Sequence, residues 1–292
     1  MRYYKGRYIA NILEEVLHDL YNDPDYVASP RDMEVREILN CSMEIEQPMS
    51  NLFTNKFRSS QKKYIAAELL WYFSGISNVS FIENYASLWK HLKDENNEAN
   101  SAYGHLIFSE RNDHDLTQFN WVIETLKKDK DSRQAFMHFN RPRHQYLENP
   151  DQVCTLQSLF HIRENKLHMT LTMRSNDVIY GFMNDYTFFT VLHYQVFLHM
   201  RNYYPELEMG SYTHISHSMH LYERHYDLVK NTLTAPILPD ELPLLNTSII
   251  NEMGQWDGKY KDVFNPLINN EHIDNFMFGD NDLINWCISK LK

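Results

Sequence analysis

The residues from Met173 to Tyr186 read MRSNDVIYGFMNDY and gather Arg174, Ser175, Asn176, Asp177, Asn184 and Asp185 in one short stretch. Cys154 stands one strand upstream. An arginine beside a serine hydroxyl suits an anion such as phosphate, because a guanidinium fork matches two of its oxygens. Amide and carboxyl groups a few residues further on can read the edge of a polar ring. The thiol is open to two readings. It is either a buried inert cysteine, the common fate of a lone Cys, or a nucleophile whose thiolate Arg174 or Arg133 would stabilise. Asp185 is open in the same way, as a ligand reader or as the cap of an apolar helix expected from Tyr186.

Glu68 sits in a stretch that is otherwise apolar on nearly all sides. A carboxyl group there needs partners, and burial would raise its pKa toward the range useful for general acid–base work. The other reading is a structural hydrogen bond to a neighbouring strand. His214, His217, His220 and His225 fit no common zinc spacing, and no HExxH occurs, so they read as a polar, partly buried histidine set rather than a metal site. With eight glycines and no glycine-rich phosphate loop, a dinucleotide-binding fold is not indicated.

These side chains need a scaffold. Ile9 to Leu20 follow helical spacing, Arg36 to Glu46 partly alternate as a strand, and Ser59 or Ser60 is expected to cap a helix over Gln61 to Phe73. Ser101-Ala102-Tyr103-Gly104 reads as a turn, and Phe119 to Leu126 as a helix. The period then changes to two. Strands are expected over Gln134 to Phe139 and Thr155 to Arg163, and Leu167, Met169, Leu171 and Met173 alternate with polar residues in a hairpin closed by Glu164-Asn165-Lys166. After the apolar helix from Tyr186 come a strand near Tyr212 to His217 and a helix from Leu221 to Leu233. A proline-rich tail and a last helix over Leu283 to Leu291 follow. The pattern predicts one α+β domain over residues 1–292 with helices packed on a mixed sheet.

Composition narrows the class. A net charge of −11 argues against a nucleic-acid partner but leaves room for a small anion held by local arginines. Three cysteines without CxxC spacing point away from disulfides and toward a reducing, cytoplasmic setting. No apolar signal segment opens the chain, and the most apolar run is interrupted by His193, Gln195 and His199, so no membrane association is expected.

Taken in order, ELLWYFSG (68–75), SAYG (101–104), KDSRQ (130–134), Cys154, MRSNDV (173–178) with Gly181, and HLYERH (220–225) resemble the blocks of the thymidylate synthase superfamily. The resemblance covers roughly residues 30 to 230, with an extension after about 236. Synthases place Pro before and His after the nucleophile; here the run is Val153-Cys154-Thr155, more similar to the phage deoxycytidylate hydroxymethylases. Where synthases read LPFN after the glycine, this chain reads FMND. That places Asp185 where a synthase has its pyrimidine-reading Asn, although a shift of one residue would put Asn184 there.

The resemblance implies an enzyme that adds a one-carbon unit from 5,10-methylenetetrahydrofolate to C5 of dCMP, through a Cys154–C6 adduct quenched by water. Its implied site has Cys154, Glu68, Asp185 and His220 at the chemistry. Arg174, Ser175 and Arg133 would hold the phosphate, the last across a sheet-mediated homodimer. His220 and Tyr222 would hold the sugar, Tyr103 would lie near the thiol, and Asp177, Gly181 and Trp89 would meet the folate. No metal is implied. Gln134 replaces a family arginine, and Arg31, Arg141 or Arg143 could make up the missing phosphate contact. Synthases end in a short apolar tail that closes over the folate; this chain ends WCISKLK. The alternatives are dUMP methylation, hydroxymethylation of dUMP or CMP, and a non-catalytic nucleotide- or RNA-binding relative.

Overall fold

A computed structural model describes residues 1–243, 249–251, 269 and 282–292. Its strands are β1 (Arg2–Gly6), β2 (Tyr26–Ala28), β3 (Val35–Ile45), β4 (Leu52–Thr54), β5 (Phe136–His138), β6 (Thr155–Arg163), β7 (Lys166–Met173), β8 (Asn176–Asp177), β9 (Glu208–Tyr222) and β10 (Leu238–Asp240). The helices are α1 (Ile9–Asn22), α2 (Lys62–Ser74), α3 (Trp89–Leu92), α4 (Tyr103–Phe108), α5 (Gln118–Lys128), α6 (Gly181–Arg201), α7 (Tyr226–Thr232) and α8 (Asp282–Leu291).

The main sheet runs β1-β3-β9-β7-β6-β5, with β2 added to β3 and β8 to β9. It is mixed: β7 and β8 run parallel to β9, whereas β3 and β6 run antiparallel to their neighbours β9 and β7. Period-two alternation decides its faces. Leu167, Met169, Leu171 and Met173 are buried against α6, each burial contributing about 1.5–3 kcal/mol. Thr170, Thr172, Thr213, Ile215, Leu159 and His161 project to the other face and stay half-exposed. The β6–β7 hairpin turns through Glu164 and Asn165, both at positive φ, as a two-residue hairpin loop requires. No helix among the described residues is long and apolar enough to cross a membrane.

Several expectations change. Ser59 and Ser60 do not cap α2; their hydroxyls accept from the backbone N–H groups of Asn55 and Phe53, which closes the loop before the helix instead. Gly75, left-handed at φ 71°, does end α2 as expected. The SAYG stretch is no free turn, because α4 starts at Tyr103 with Ala102 as its N-cap. Helix α6 begins at Gly181, five residues before Tyr186, so Asp185 lies inside it and is not its cap. The polar pair that looked like a helix start has other partners. Asn184 Nδ2 donates to the Tyr180 carbonyl, and Asp185 accepts from Asn176. No helix starts at Leu221 either: pairing of Val35 with Tyr222 and Arg36 with Leu221 keeps β9 extended to Tyr222, and α7 starts at Tyr226. The tail includes β10, which pairs with β4. Most of the remaining proline-rich tail lies outside the described residues.

Each polar residue that interrupts α6 bonds to the backbone of a neighbouring segment. His193 Nε2 pairs with the Leu167 carbonyl at 2.8 Å, His199 Nε2 with the Ile250 carbonyl at 2.7 Å, and Gln195 Oε1 accepts from Ile249 N at 3.0 Å. At the chain's end, Leu283, Ile284, Cys287 and Ile288 are buried as α8 packs on α2.

Candidate active site

Five elements deliver the site. The chain just before β6 carries Cys154, the end of β7 leads into Arg174, β8 holds Asn176 and Asp177, α6 brings Asp185, and α2 brings Glu68. Arg174 is built into the cysteine loop. Its backbone N–H donates to the Cys154 carbonyl at 2.9 Å, its Nε to the Val153 carbonyl at 3.0 Å, and its Nη2 to the Gln152 carbonyl at 2.6 Å. The same Nη2 lies 3.4 Å from Cys154 Sγ. Nη1 makes no hydrogen bond among the described residues and belongs to an exposed side chain, so the fork keeps a free donor toward solvent.

Arg174 pulls the Cys154 thiol down as expected, but burial outweighs it. Burial pushes Cys154 above the ordinary thiol range, against the pull of Arg174 and Arg31, and the carboxyl groups of Asp185 and Asp151 push the same way. Arg31 is thus within electrostatic reach of the sulfur. Arg133 is not among the charges acting on it: that residue is exposed on the turn between α5 and β5 and makes no hydrogen bond or ion pair within the described chain. Arg141 and Arg143 are both tied to Glu110, at 2.6 and 3.0 Å, so the structure commits both to an ion pair. Ser175 is half-buried and makes no hydrogen bond among the described residues.

Glu68 is 5% exposed, and its partners come from its own helix rather than from a strand. Tyr64, one turn earlier, donates to Oε1 at 2.7 Å, and Trp89 Nε1 donates to Tyr64 Oη at 3.1 Å. Burial first, and then the charge of Asp185, push Glu68 up to about 8, while Tyr64 and Tyr72 hold it down. Asp185 is pushed up to about 7, mainly by burial, with Asn176 opposing and Asp177 adding to the rise. The charge of an ionised Asp185 thus helps keep Glu68 protonated, and the two carboxyl groups titrate as a coupled set. The charge of Asp185 reaches Glu68, Tyr103 and Cys154. Asn184 turns back on its own helix.

His220 pairs with Asp177 across β9 and β8, contacts the Ser218 carbonyl at 3.3 Å and stands edge-on to Tyr222 at 5.0 Å. Asp177 Oδ1 accepts from Ile179 N at 3.0 Å, and its second oxygen has no hydrogen-bond partner among the described residues. Trp89 is enclosed, its indole N–H used by Tyr64, so it supports Glu68 rather than offering a donor to a ligand. Gly181 makes room within the protein: a Cβ there would stand 3.0 Å from Asn176 Nδ2. His217 bonds Asn40 on the exposed side, whereas His214 is buried on Tyr212, so the four histidines do not converge. No set of three or more candidate metal ligands occurs among the described residues.

Sequence reasoning gave no role to Tyr64, Asn176 or Asp151. The four-residue spacing of Tyr64 and Glu68 was a readable signal. Asp151, which accepts from Ser101 N and Oγ at 2.7 and 2.8 Å and so ties the SAYG block to the cysteine loop, carried none. Two open depressions of about 550 and 810 Å³ lie elsewhere, lined by residues such as Trp121 and Arg141 or Met49 and Glu208.

A half-buried thiol, a fixed guanidinium and two neutral-prone carboxyl groups within electrostatic reach can support covalent addition to an electron-poor ring and proton transfer around it. Comparison with known proteins points the same way. The chain is 29% identical over 214 residues to the deoxycytidylate 5-hydroxymethyltransferases of Enterobacteria phages T6 and T4, covering 71% of this chain and 83% of each relative. It is 25% identical over 315 aligned positions to the deoxyuridylate hydroxymethyltransferase of Bacillus phage SP01, covering 99% of this chain and 80% of that protein. The sequence profile described as Thymidylate synthase matches residues 10–269, and the chain belongs to that family of one-carbon transferases, whose co-substrate is methylenetetrahydrofolate.

Proposed function

We propose that this protein transfers a one-carbon unit from 5,10-methylenetetrahydrofolate to C5 of dCMP and releases 5-hydroxymethyl-dCMP and tetrahydrofolate. The observation that carries the reading is Asp185, a carboxyl group raised to about 7 beside Cys154 and Glu68. Cytosine offers an acceptor at N3 and a donor at its exocyclic amine. A neutral carboxyl answers both, donating through its O–H and accepting on its other oxygen.

In the proposed reaction Cys154 Sγ adds to C6, and the electron pair displaced to C5 forms the bond to the folate's methylene carbon. Loss of the C5 proton and cleavage of the carbon–nitrogen bond release tetrahydrofolate and leave an exocyclic methylene. Water ordered by Glu68 and His220 adds to that methylene, and Cys154 leaves. Arg174, Ser175 and Arg31 hold the phosphate, and His220 and Tyr222 the sugar. The free carboxylate oxygen of Asp177 suits a pterin N–H. Arg133 reaches the phosphate of a second copy, in a homodimer formed through the half-exposed face of the sheet.

The second reading is hydroxymethylation of dUMP, favoured by the relative that aligns with 99% of the chain. Incubation with dCMP, CMP or dUMP plus methylenetetrahydrofolate, with products identified by mass, decides between them. Conversion of dCMP is expected; reaction of dUMP alone overturns the reading of Asp185. Asp185→Asn should move preference from cytosine to uracil nucleotides.

A further inference from the structure

We propose that Asn176 is the positioning residue that fixes which oxygen of Asp185 carries the proton, and through it which pyrimidine the site accepts. The inference rests on the reading of Asp185 as the base-recognising group. Asn176 is 3% exposed and held in β8 opposite Met219. Its Nδ2 donates to Asp185 Oδ2 at 2.8 Å, while its own Oδ1, also buried, has no partner among the described residues. The amide reaches the carboxyl because residue 181 has no side chain; a Cβ there would lie 3.0 Å from Nδ2 and 3.7 Å from Asp185 Oδ2.

An N–H donor on Oδ2 favours a lone pair there, so the proton of a neutral Asp185 resides on Oδ1. Oδ2 keeps a second lone pair for a ligand. The carboxyl thus presents one donor and one acceptor in a fixed order, and a pyrimidine ring held in one orientation can match it as cytosine or as uracil but not as both. Reversing the amide would set Asn176 Oδ1 against Oδ2, call the proton to that oxygen and invert the pattern. The other ionisable groups around Asp185 are Tyr64, Glu68 and Tyr72 from α2, Tyr103 from α4, Cys154 before β6, Asp177 from β8 and Tyr212 from β9. Of all these neighbours, Asn176 is the one with a hydrogen bond to the carboxyl.

The test uses Asn176→Leu, similar in size without a donor, and Asn176→Ala, which adds no bulk. Carbon-13 carboxyl NMR of the ligand-free protein reads the titration of Asp185 directly, independent of any reaction. Loss of the donor should move that midpoint upward by about one pH unit, because the bond stabilises the ionised form. The ratio of kcat/KM for dCMP to that for dUMP should fall about ten-fold or more. An unmoved midpoint with both substrates impaired in parallel would overturn the proposal, since a merely structural role gives that result. A moved midpoint with an unchanged base ratio would overturn the link to base choice and, with it, the reading of Asp185, while leaving the hydrogen bond established.

Discussion

Arg174 Nη2 stands 3.4 Å from Cys154 Sγ while the same nitrogen holds the Gln152 carbonyl at 2.6 Å. The guanidinium is therefore fixed by the loop that carries the thiol, and its field acts on the sulfur before any ligand arrives. Burial still wins in the ligand-free protein and keeps the thiol above its ordinary range. Replacing Arg174 by Gln removes the largest opposing influence. The midpoint for alkylation of Cys154 by iodoacetamide should rise by about one pH unit, and KM for the nucleotide should rise about ten-fold or more with loss of the phosphate fork. Arg174→Lys, which keeps the charge, should leave the alkylation midpoint nearer the parent value. Equal midpoints for all three proteins would show that the guanidinium does not tune the sulfur.

Gly104 marks where α4 crosses α2. A Cβ on it would fall 1.7 Å from the Tyr72 carbonyl oxygen and 2.3 Å from its carbon, both backbone atoms that cannot swing aside. Gly104→Ala must push the helices apart and should cost about 3 kcal/mol or more. Tyr103 on α4 and Glu68 on α2 would shift with them, so activity should fall too. At Gly75 the strain is of another kind: φ is +71°, and the nearest obstacle is the Ser109 hydroxyl, the end of a small rotatable side chain. Gly75→Ala should cost about 1 kcal/mol from the backbone alone and remain the milder change. Urea midpoints give the order directly, and a larger loss for Gly75→Ala would contradict it.

The parts of this fold legible in the sequence are those that one element decides by itself. Alternation from Leu167 to Met173 and the turn expected at Glu164-Asn165-Lys166 need no distant partner, and both stand in the structure, with Lys166 already part of β7. The start of α6 was not legible. Asn184 and Asp185 look like a cap on local rules, and only Asn176, nine residues earlier, explains why Asp185 can sit inside a helix. The helix expected from Leu221 to Leu233 begins only at Tyr226 for the same reason, since pairing with Arg36 and Val35 keeps Leu221 and Tyr222 extended. At the site, residue types pointed to the thiol, the guanidinium and the carboxyl groups. The state of the thiol was hidden, because it depends on burial and on four charged side chains from separate segments, two opposing the burial and two adding to it.

Glu68 links the site to stability. Its carboxyl is pushed up to about 8 in the folded protein, from an ordinary value of 4.5, so between those values the native state holds a proton that the unfolded chain has released. The native state then binds more protons, and stability falls as pH rises, by up to about 1.4 kcal/mol per pH unit, until Glu68 ionises near pH 8. Glu68→Gln carries no such penalty and still offers an oxygen to Tyr64, whose hydroxyl donates at 2.7 Å in the parent. Asp185, raised to about 7, contributes a similar slope, but it is present in both proteins and largely cancels in the difference. The Tm of Glu68→Gln relative to the parent should therefore rise steadily from pH 5 to pH 8 and level off above it, with little or no advantage near pH 4.5. Thermal melts across that range measure it, and a difference that stays flat with pH would mean that Glu68 is already ionised in the folded protein. The same substitution removes the acid–base group, so turnover should drop about 100-fold or more while the protein becomes more stable at alkaline pH.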